Sequence, residues 1–160
     1  MRKRRFLHLW IVLLLTAAVA QCQQLTIETE GGKQTVLEKS DIDSLPHSKA
    51  TTHESGRTVT FEGVALKTVL EKAGVEFGHS MRGKRLASCL LVEASDGYRA
   101  VIALPELDPD FMDKQILLAF SEDGKPLDAK AGPYRIVIPD EKRMARWVKQ
   151  VTKLKIVDVQ

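Results

Sequence analysis

The sequence lacks several features that would assign a function directly. It contains no G-x-S-x-G element, no phosphate-binding P-loop and no dinucleotide fingerprint, so the enzyme classes built on these motifs are not indicated. After the first twenty residues, no apolar run approaches the roughly 20 residues that a membrane-spanning helix needs. His47, His53 and His79 show no H-x-x-x-H spacing, so a zinc site is not expected.

Cysteine is scarce, with two residues in 160. Cys22 follows a stretch of small residues and is a candidate lipid-anchored first residue of a lipoprotein, although Gln21 stands where such sites favour a small residue. In an oxidising compartment Cys22 could instead pair with Cys89. The simpler expectation for Cys89, within "LASCLLVEA", is a buried strand cysteine that behaves as a small apolar side chain.

The N-terminus has the three parts of a secretory signal. "MRKRR" is basic, "FLHLWIVLLLTAAVA" is apolar, and residues 18–20 are small, as signal peptidase requires. We therefore expect a signal peptide at residues 1–20 and one domain at residues 21–160. The expected location is outside the cytoplasm, either periplasmic or secreted.

The net charge depends on this leader. The chain has 24 basic and 21 acidic residues, and the leader contains four of the basic residues and no acidic one. The remaining 20 basic and 21 acidic residues leave residues 21–160 with a net charge of −1. Nothing in this balance predicts a nucleic-acid partner.

Turn signals and apolar periodicity predict a single mixed α+β domain. "LTIETEGGKQTVLEK" is typical of a hairpin, and so are "LASCLLVEAS" and "YRAVIAL" around Asp96-Gly97. "SDIDSLP" predicts a short helical turn with Ser40 as its N-cap, and "TVTFEGV" a strand ending in a turn at Gly63. "ALKTVLEKAGV" predicts a helix that ends at Gly74. "QILLAF", "YRIVIP" and "LKIVDV" predict further strands.

The segment "GPYRIVIPDEKRMARWV" is the most informative part of the chain. After the strand, the pattern predicts an amphipathic helix capped by Asp140, with an apolar face and a basic face. The apolar face would hold Met144, Trp147, Val148 and Val151, and the basic face Lys142, Arg146 and Lys149. The basic face is either simply solvated or part of an anion site at the start of the helix. Asp140 and Glu141 oppose a phosphate there, and no glycine follows Gly132 to allow close backbone approach.

Four blocks together resemble the molybdopterin-binding domain of sulfite-oxidase-type oxidoreductases, in its short, exported, stand-alone version. They are "FEGVALKTVLEKAGV", "LLVEASDGYRAVIALPELDP", "ILLAFSEDGKPLDAKAGPYRIVIP" and "RWVKQVTKLKI". The resemblance implies a mixed α+β fold and a molybdenum ion held by one cysteine thiolate and by the dithiolene of molybdopterin.

The sequence departs from the pattern of these enzymes at the positions that hold the cofactor. Their metal-binding cysteine precedes the block matched by "FEGVALKTVL", where this chain has "SKATTHESGRT" and no cysteine. They also place a glycine after the "VIP" strand and a lysine before the tryptophan. This chain has Asp140 and Arg146 at those two positions, and arginine can still bind phosphate.

We therefore expect a binding or accessory module for a small anion or a partner protein. Two alternatives remain, a genuine molybdopterin-dependent oxidoreductase with altered metal ligation and a purely structural envelope protein. His53 is alternatively an exposed loop residue, and Tyr98 alternatively packs across its hairpin. The candidate binding residues are Arg135, Lys142, Arg143, Arg146, His53 and Tyr98.

Overall fold

The computed structural model describes residues 23–158, so Cys22 and the expected signal peptide lie outside the described residues. Within that range the chain forms ten strands, two α-helices and several short 3-10 helices. The strands are β1 (Leu25–Glu28), β2 (Gln34–Leu37), β3 (His47–Glu54), β4 (Arg57–Ala65), β5 (Cys89–Ala94), β6 (Arg99–Ala103), β7 (Leu117–Glu122), β8 (Lys125–Pro126), β9 (Arg135–Val137) and β10 (Val151–Val157). The helices are α1 (Lys39–Asp43) and α2 (Leu66–Lys72).

The strands form two sheets. The first has the order β2-β1-β10-β5-β6, in which β1 and β10 run parallel and all other neighbours antiparallel. The second has the order β3-β4-β7-β8, and β9 also pairs with β7. The expected α+β class and both expected hairpins of the first sheet are confirmed.

One hydrophobic core joins the two sheets and the buried face of α2. Leu90, Val92 and Leu154 contribute from the first sheet, and Phe61 and Leu118 from the second, all fully buried. Each buried side chain of this size contributes roughly 1.5–3 kcal/mol relative to exposure. The alternating burial along β5 and β10 is the period-two pattern of strands with one covered face.

Two local predictions near β4 are wrong. Gly63 lies inside β4 rather than at a turn, because its backbone pairs with Ala119 of β7. β7 passes so close that a Cβ on residue 63 would lie 2.2 Å from the carbonyl oxygen of Leu118. The pairing of β4 with β7 shifts its register between Glu62 and Gly63. The segment that includes His53 is strand β3 instead of a loop, since its backbone pairs with β4 along its whole length. Helix α1 forms as expected, but its N-cap is Glu38 instead of Ser40.

The helix predicted after Asp140 is also wrong. Only Met144–Arg146 is helical, as a short 3-10 helix, and β10 begins at Val151. Tertiary hydrogen bonds replace helical ones. The carbonyl of Val148 accepts from the N–H of Ile136, and the N–H of Val151 donates to the carbonyl of Tyr134. Trp147, Val148 and Val151 are nevertheless buried, as expected. The apolar spacing therefore identified the core positions correctly, but the backbone conformation predicted for them was wrong.

The described part of the chain contains no helix that is both long and apolar enough to cross a membrane.

Candidate functional site

The candidate site surrounds residues 139–149, which we call the corner. The corner begins at Pro139, two residues after the end of β9, and turns sharply at Asp140, whose φ is 60°. This left-handed conformation is usual for glycine and is tolerated by aspartate better than by most residues. The glycine that the resemblance implies here is therefore replaced without loss of the backbone bend.

Asp140 ties the corner to two other parts of the chain. Its N–H donates to Oγ1 of Thr52 on β3 at 3.1 Å, and its carboxylate accepts from Nζ of Lys114 at 2.9 Å. The hydrogen bond from Lys114, followed by its charge and that of nearby His53, lowers the pKa of Asp140 below the ordinary value of 3.8. Thr52 is buried, whereas His53 is exposed, with its Nδ1 3.3 Å from Oγ1 of Thr58.

Arg135 lies in the core behind the corner, with 2% of its surface exposed. Its guanidinium carbon lies 5.0 Å from the ring centre of Phe61 and 5.3 Å from that of Trp147, within the range of cation–π contacts. Its Nη2 donates to Oε1 of Glu54 at 2.5 Å, and Oε2 of Glu122 lies 3.9 Å from Nη1. The positive charge of this predicted site residue is therefore already matched by carboxylates of the protein.

Arg146 is matched in the same way. Its Nε and Nη2 donate to Oε1 of Glu141 at 2.7 and 2.6 Å, and its Nη1 lies 3.2 Å from Oε1 of Glu106. Burial alone would lower the pKa of Arg146, but hydrogen bonds and attraction from the two carboxylates outweigh it and raise the pKa. We refer to Lys114, Arg135 and Arg146 together as the paired cations.

Tyr98 reaches the corner from the turn between β5 and β6. Its hydroxyl donates to the carbonyl of Ala145 at 2.7 Å, and its N–H donates to Oδ1 of Asp96 at 2.9 Å. The first bond anchors the end of the ring and the second closes the turn, while 49% of the residue stays exposed. Tyr98 therefore links the hairpin to the corner, in addition to any packing across the hairpin.

A cleft of about 280 Å³ lies between this turn and the corner. We call it the lysine cleft, because Lys130 and Lys149 line it together with Tyr98, Met144, Trp147 and Gln150. Within residues 23–158 neither lysine forms an ion pair. The same holds for the exposed side chains of Lys142 and Arg143, which do not line this cleft.

The six predicted site residues are thus close to the corner but in different settings. Arg135 and Arg146 are paired, Lys142 and Arg143 are exposed, Tyr98 lines the lysine cleft, and His53 lies on β3 beside Asp140. Sequence reasoning missed the distant carboxylates that match the arginines, Glu54 and Glu106, and it missed Lys130. The acidic residues at 140 and 141 were the one available signal that the corner carries its own counter-charges.

No sulfur ligand lies on β3. Within the described range the only cysteine is Cys89, half-buried on β5 opposite Ala103, in the sheet that does not contain His53. Across residues 23–158, no group of three or more histidine, cysteine or acidic residues is arranged to hold a metal ion. The donors near Thr52 and His53 are hydroxyl, imidazole and carboxylate groups.

Comparison with known proteins agrees with this fold. No curated protein matches the chain. Among solved structures, the sulfane dehydrogenase SoxCD from Paracoccus pantotrophus superposes with a TM-score of 0.66 at 21% sequence identity. The match covers 85% of this chain and 38% of that chain. It therefore supports the fold alone, and the activity of the larger protein is not assigned to this chain. The family described as oxidoreductase molybdopterin binding domain matches residues 15–160. The chain belongs to this family.

Proposed function

We propose that this chain is an exported binding or accessory member of its family, and that it does not carry out molybdenum redox chemistry. In this proposal the signal peptide at residues 1–20 directs it to the periplasm or the exterior. Its partner is a small anion or an anionic segment of another protein. The support comes from the charges at the corner and from the donor atoms on β3.

The pairing of the corner's cations carries the proposal. Molybdopterin is anionic, and the resemblance implies that its phosphate meets the corner. Here the paired cations already contact Asp140, Glu54, Glu106 and Glu141. An incoming phosphate would have to displace these carboxylates. Removing one partner of a buried pair such as Arg135–Glu54 costs about 3–5 kcal/mol, and the contacts of the phosphate would have to offset a loss of this kind.

The donor set also does not fit the metal centre that the resemblance implies. A molybdenum ion held by a soft thiolate needs a cysteine near Thr52 and His53. The sequence has none between residues 23 and 88, and Cys89 lies in the other sheet. The residues around the corner therefore do not fit the cofactor in its usual ligation, and we derive no reaction step through it.

Family membership supports one competing function, a molybdopterin oxidoreductase whose metal is held by other ligands. Elemental analysis separates the two. The protein is purified from cells that make the cofactor, and molybdenum and pterin are measured per chain. A molybdenum enzyme purified from the same cells serves as the loading control. We expect background molybdenum in this chain and full loading in the control; near-stoichiometric metal and pterin would overturn the proposal.

Intact mass of the exported protein tests the processing part of the proposal. Cleavage after Ala20 gives an unmodified chain that begins at Gln21, whereas a lipoprotein would begin at a Cys22 that carries acyl groups. We expect the unmodified mass. A chain that retains residues 1–20 would contradict export by this signal.

A further inference from the structure

The lysine cleft differs from the paired cations because some of its polar groups have partners within the protein and its lysines do not. The side-chain amide of Gln150 is used at both ends, since its Oε1 accepts from Oγ of Ser95 at 2.9 Å and its Nε2 donates to the carbonyl of Ala129 at 2.7 Å. The hydroxyl of Tyr98 donates to Ala145. These groups have partners and need no ligand.

Two donors that line the cleft have no partner among the described residues. They are the ammonium groups of Lys130 and Lys149, both of which are exposed. Trp147 also lines the cleft, but its indole nitrogen is buried and lies out of reach of the cleft surface. The two ammonium groups are therefore the charged donors that the cleft offers to a ligand.

One acidic side chain, Asp96, also lines the cleft. Its Oδ1 accepts the N–H of Tyr98, which closes the turn between β5 and β6. With two lysines and one aspartate, the lining has a net charge of +1. A ligand that matches these groups has to supply hydrogen-bond acceptors and negative charge.

From this balance we infer that the lysine cleft binds an oxyanion group, with Lys130 and Lys149 as its charged contacts and Tyr98 as a fixed wall. The inference deepens the proposed function, because it names the ligand chemistry of the binding module. The oxyanion is either a free tetrahedral anion or a carboxylate on an acidic segment of a partner protein. Both sources present the same acceptor oxygens.

An NMR titration tests the inference on the full exported chain labelled with ¹⁵N. Inorganic sulfate, inorganic phosphate and a short glutamate-rich peptide are added separately at constant ionic strength. We expect saturable shifts of the amide signals of Tyr98, Lys130, Ala145 and Lys149. Tighter binding of the peptide would identify a protein segment as the source, and tighter binding of sulfate or phosphate would identify a small anion.

Paired charge variants separate a site from general attraction. We expect Lys130→Gln/Lys149→Gln to weaken binding by about tenfold or more. The control, Lys33→Gln/Lys84→Gln, removes the same charge from exposed residues outside the cleft and should change the affinity by less than about twofold. Equal weakening in both variants, or the absence of saturation with all three probes, would overturn the inference. These outcomes do not depend on the metal analysis, so the two proposals can fail separately.

Discussion

The paired cations and the two lysines of the lysine cleft all lie in or near the corner. They differ in whether the protein itself supplies a carboxylate to match the positive charge. Arg135 is held by carboxylates from distant parts of the chain, and Arg146 by Glu141 of the corner and by the distant Glu106. Lys130 and Lys149 line a cleft and form no ion pair within residues 23–158. A group of neighbouring basic residues therefore does not by itself form an anion-binding site. Only those that are not already paired with a carboxylate of the protein are available to a ligand.

The largest expected effect comes from breaking one of the paired cations' ion pairs, Arg135–Glu54. Glu54→Ala would leave the guanidinium of Arg135 buried without its closest carboxylate, and we expect a loss of about 3–5 kcal/mol in the free energy of unfolding. Urea denaturation measures it. If this variant does not fold, Glu54→Gln provides a milder test of the same pair.

The matched control for this prediction is Lys39→Ala. It removes one partner of an exposed pair, Lys39–Asp43, and should cost less than about 1 kcal/mol. Similar losses for the two variants would show that the Arg135 pair contributes no more than a surface pair.

The next effect concerns the bend at Asp140. Asp140→Gly and Asp140→Ala both remove the carboxylate that contacts Lys114, but only glycine adopts a φ of 60° without steric cost. We expect the glycine variant to be more stable than the alanine variant by about 1 kcal/mol in thermal or urea unfolding. Equal stabilities would mean that the bend is not retained in solution.

A smaller effect follows from the pKa of Asp140. Because Lys114 lowers this pKa below 3.8 in the folded protein, the pair stabilises the fold above pH 3.8, and this contribution is lost as the pH falls through the folded pKa. Between about pH 5 and about pH 3, wild type should therefore lose more stability than Asp140→Asn. Asparagine tolerates the same backbone conformation, so the variant serves as the control. If wild type and Asp140→Asn lost the same free energy of unfolding over this pH range, the Asp140–Lys114 pair would not be formed in solution.

The smallest effect belongs to the cleft. Without added anion, Lys130→Gln/Lys149→Gln should change the free energy of unfolding by less than about 0.5 kcal/mol, since neither lysine pairs with a carboxylate in the described part of the chain. A large destabilisation, measured by the same urea unfolding, would mean that these lysines support the fold and would remove the contrast with the paired cations.

The elements with local signals could be predicted from sequence. Gly31 and Gly32 have φ of 77° and 80° at the first hairpin, as a glycine pair at a turn predicts. Helix α2 follows from its apolar spacing. By contrast, "HSKATTHE" has little apolar alternation, so strand β3 was missed; its strand character comes from pairing with β4.

The candidate site was less predictable because most of its ion pairs join residues that are far apart in sequence. The partners Arg135 and Glu54 are 81 residues apart in sequence, and Arg146 and Glu106 are 40 apart. Nothing local to an arginine indicates whether a distant carboxylate will reach it. The apolar spacing after Asp140 suited a helix as well as the observed turn and strand, and backbone bonds to Tyr134 and Ile136 decided between them.

The bend at Asp140 also bears on which charges the corner can carry. The backbone there follows a path that favours glycine, yet it bears an acidic side chain. Because aspartate and asparagine tolerate this conformation better than most residues do, the course of the main chain does not require an uncharged glycine at position 140. Exchanging these two side chains would change the charge of the corner while its backbone path is kept.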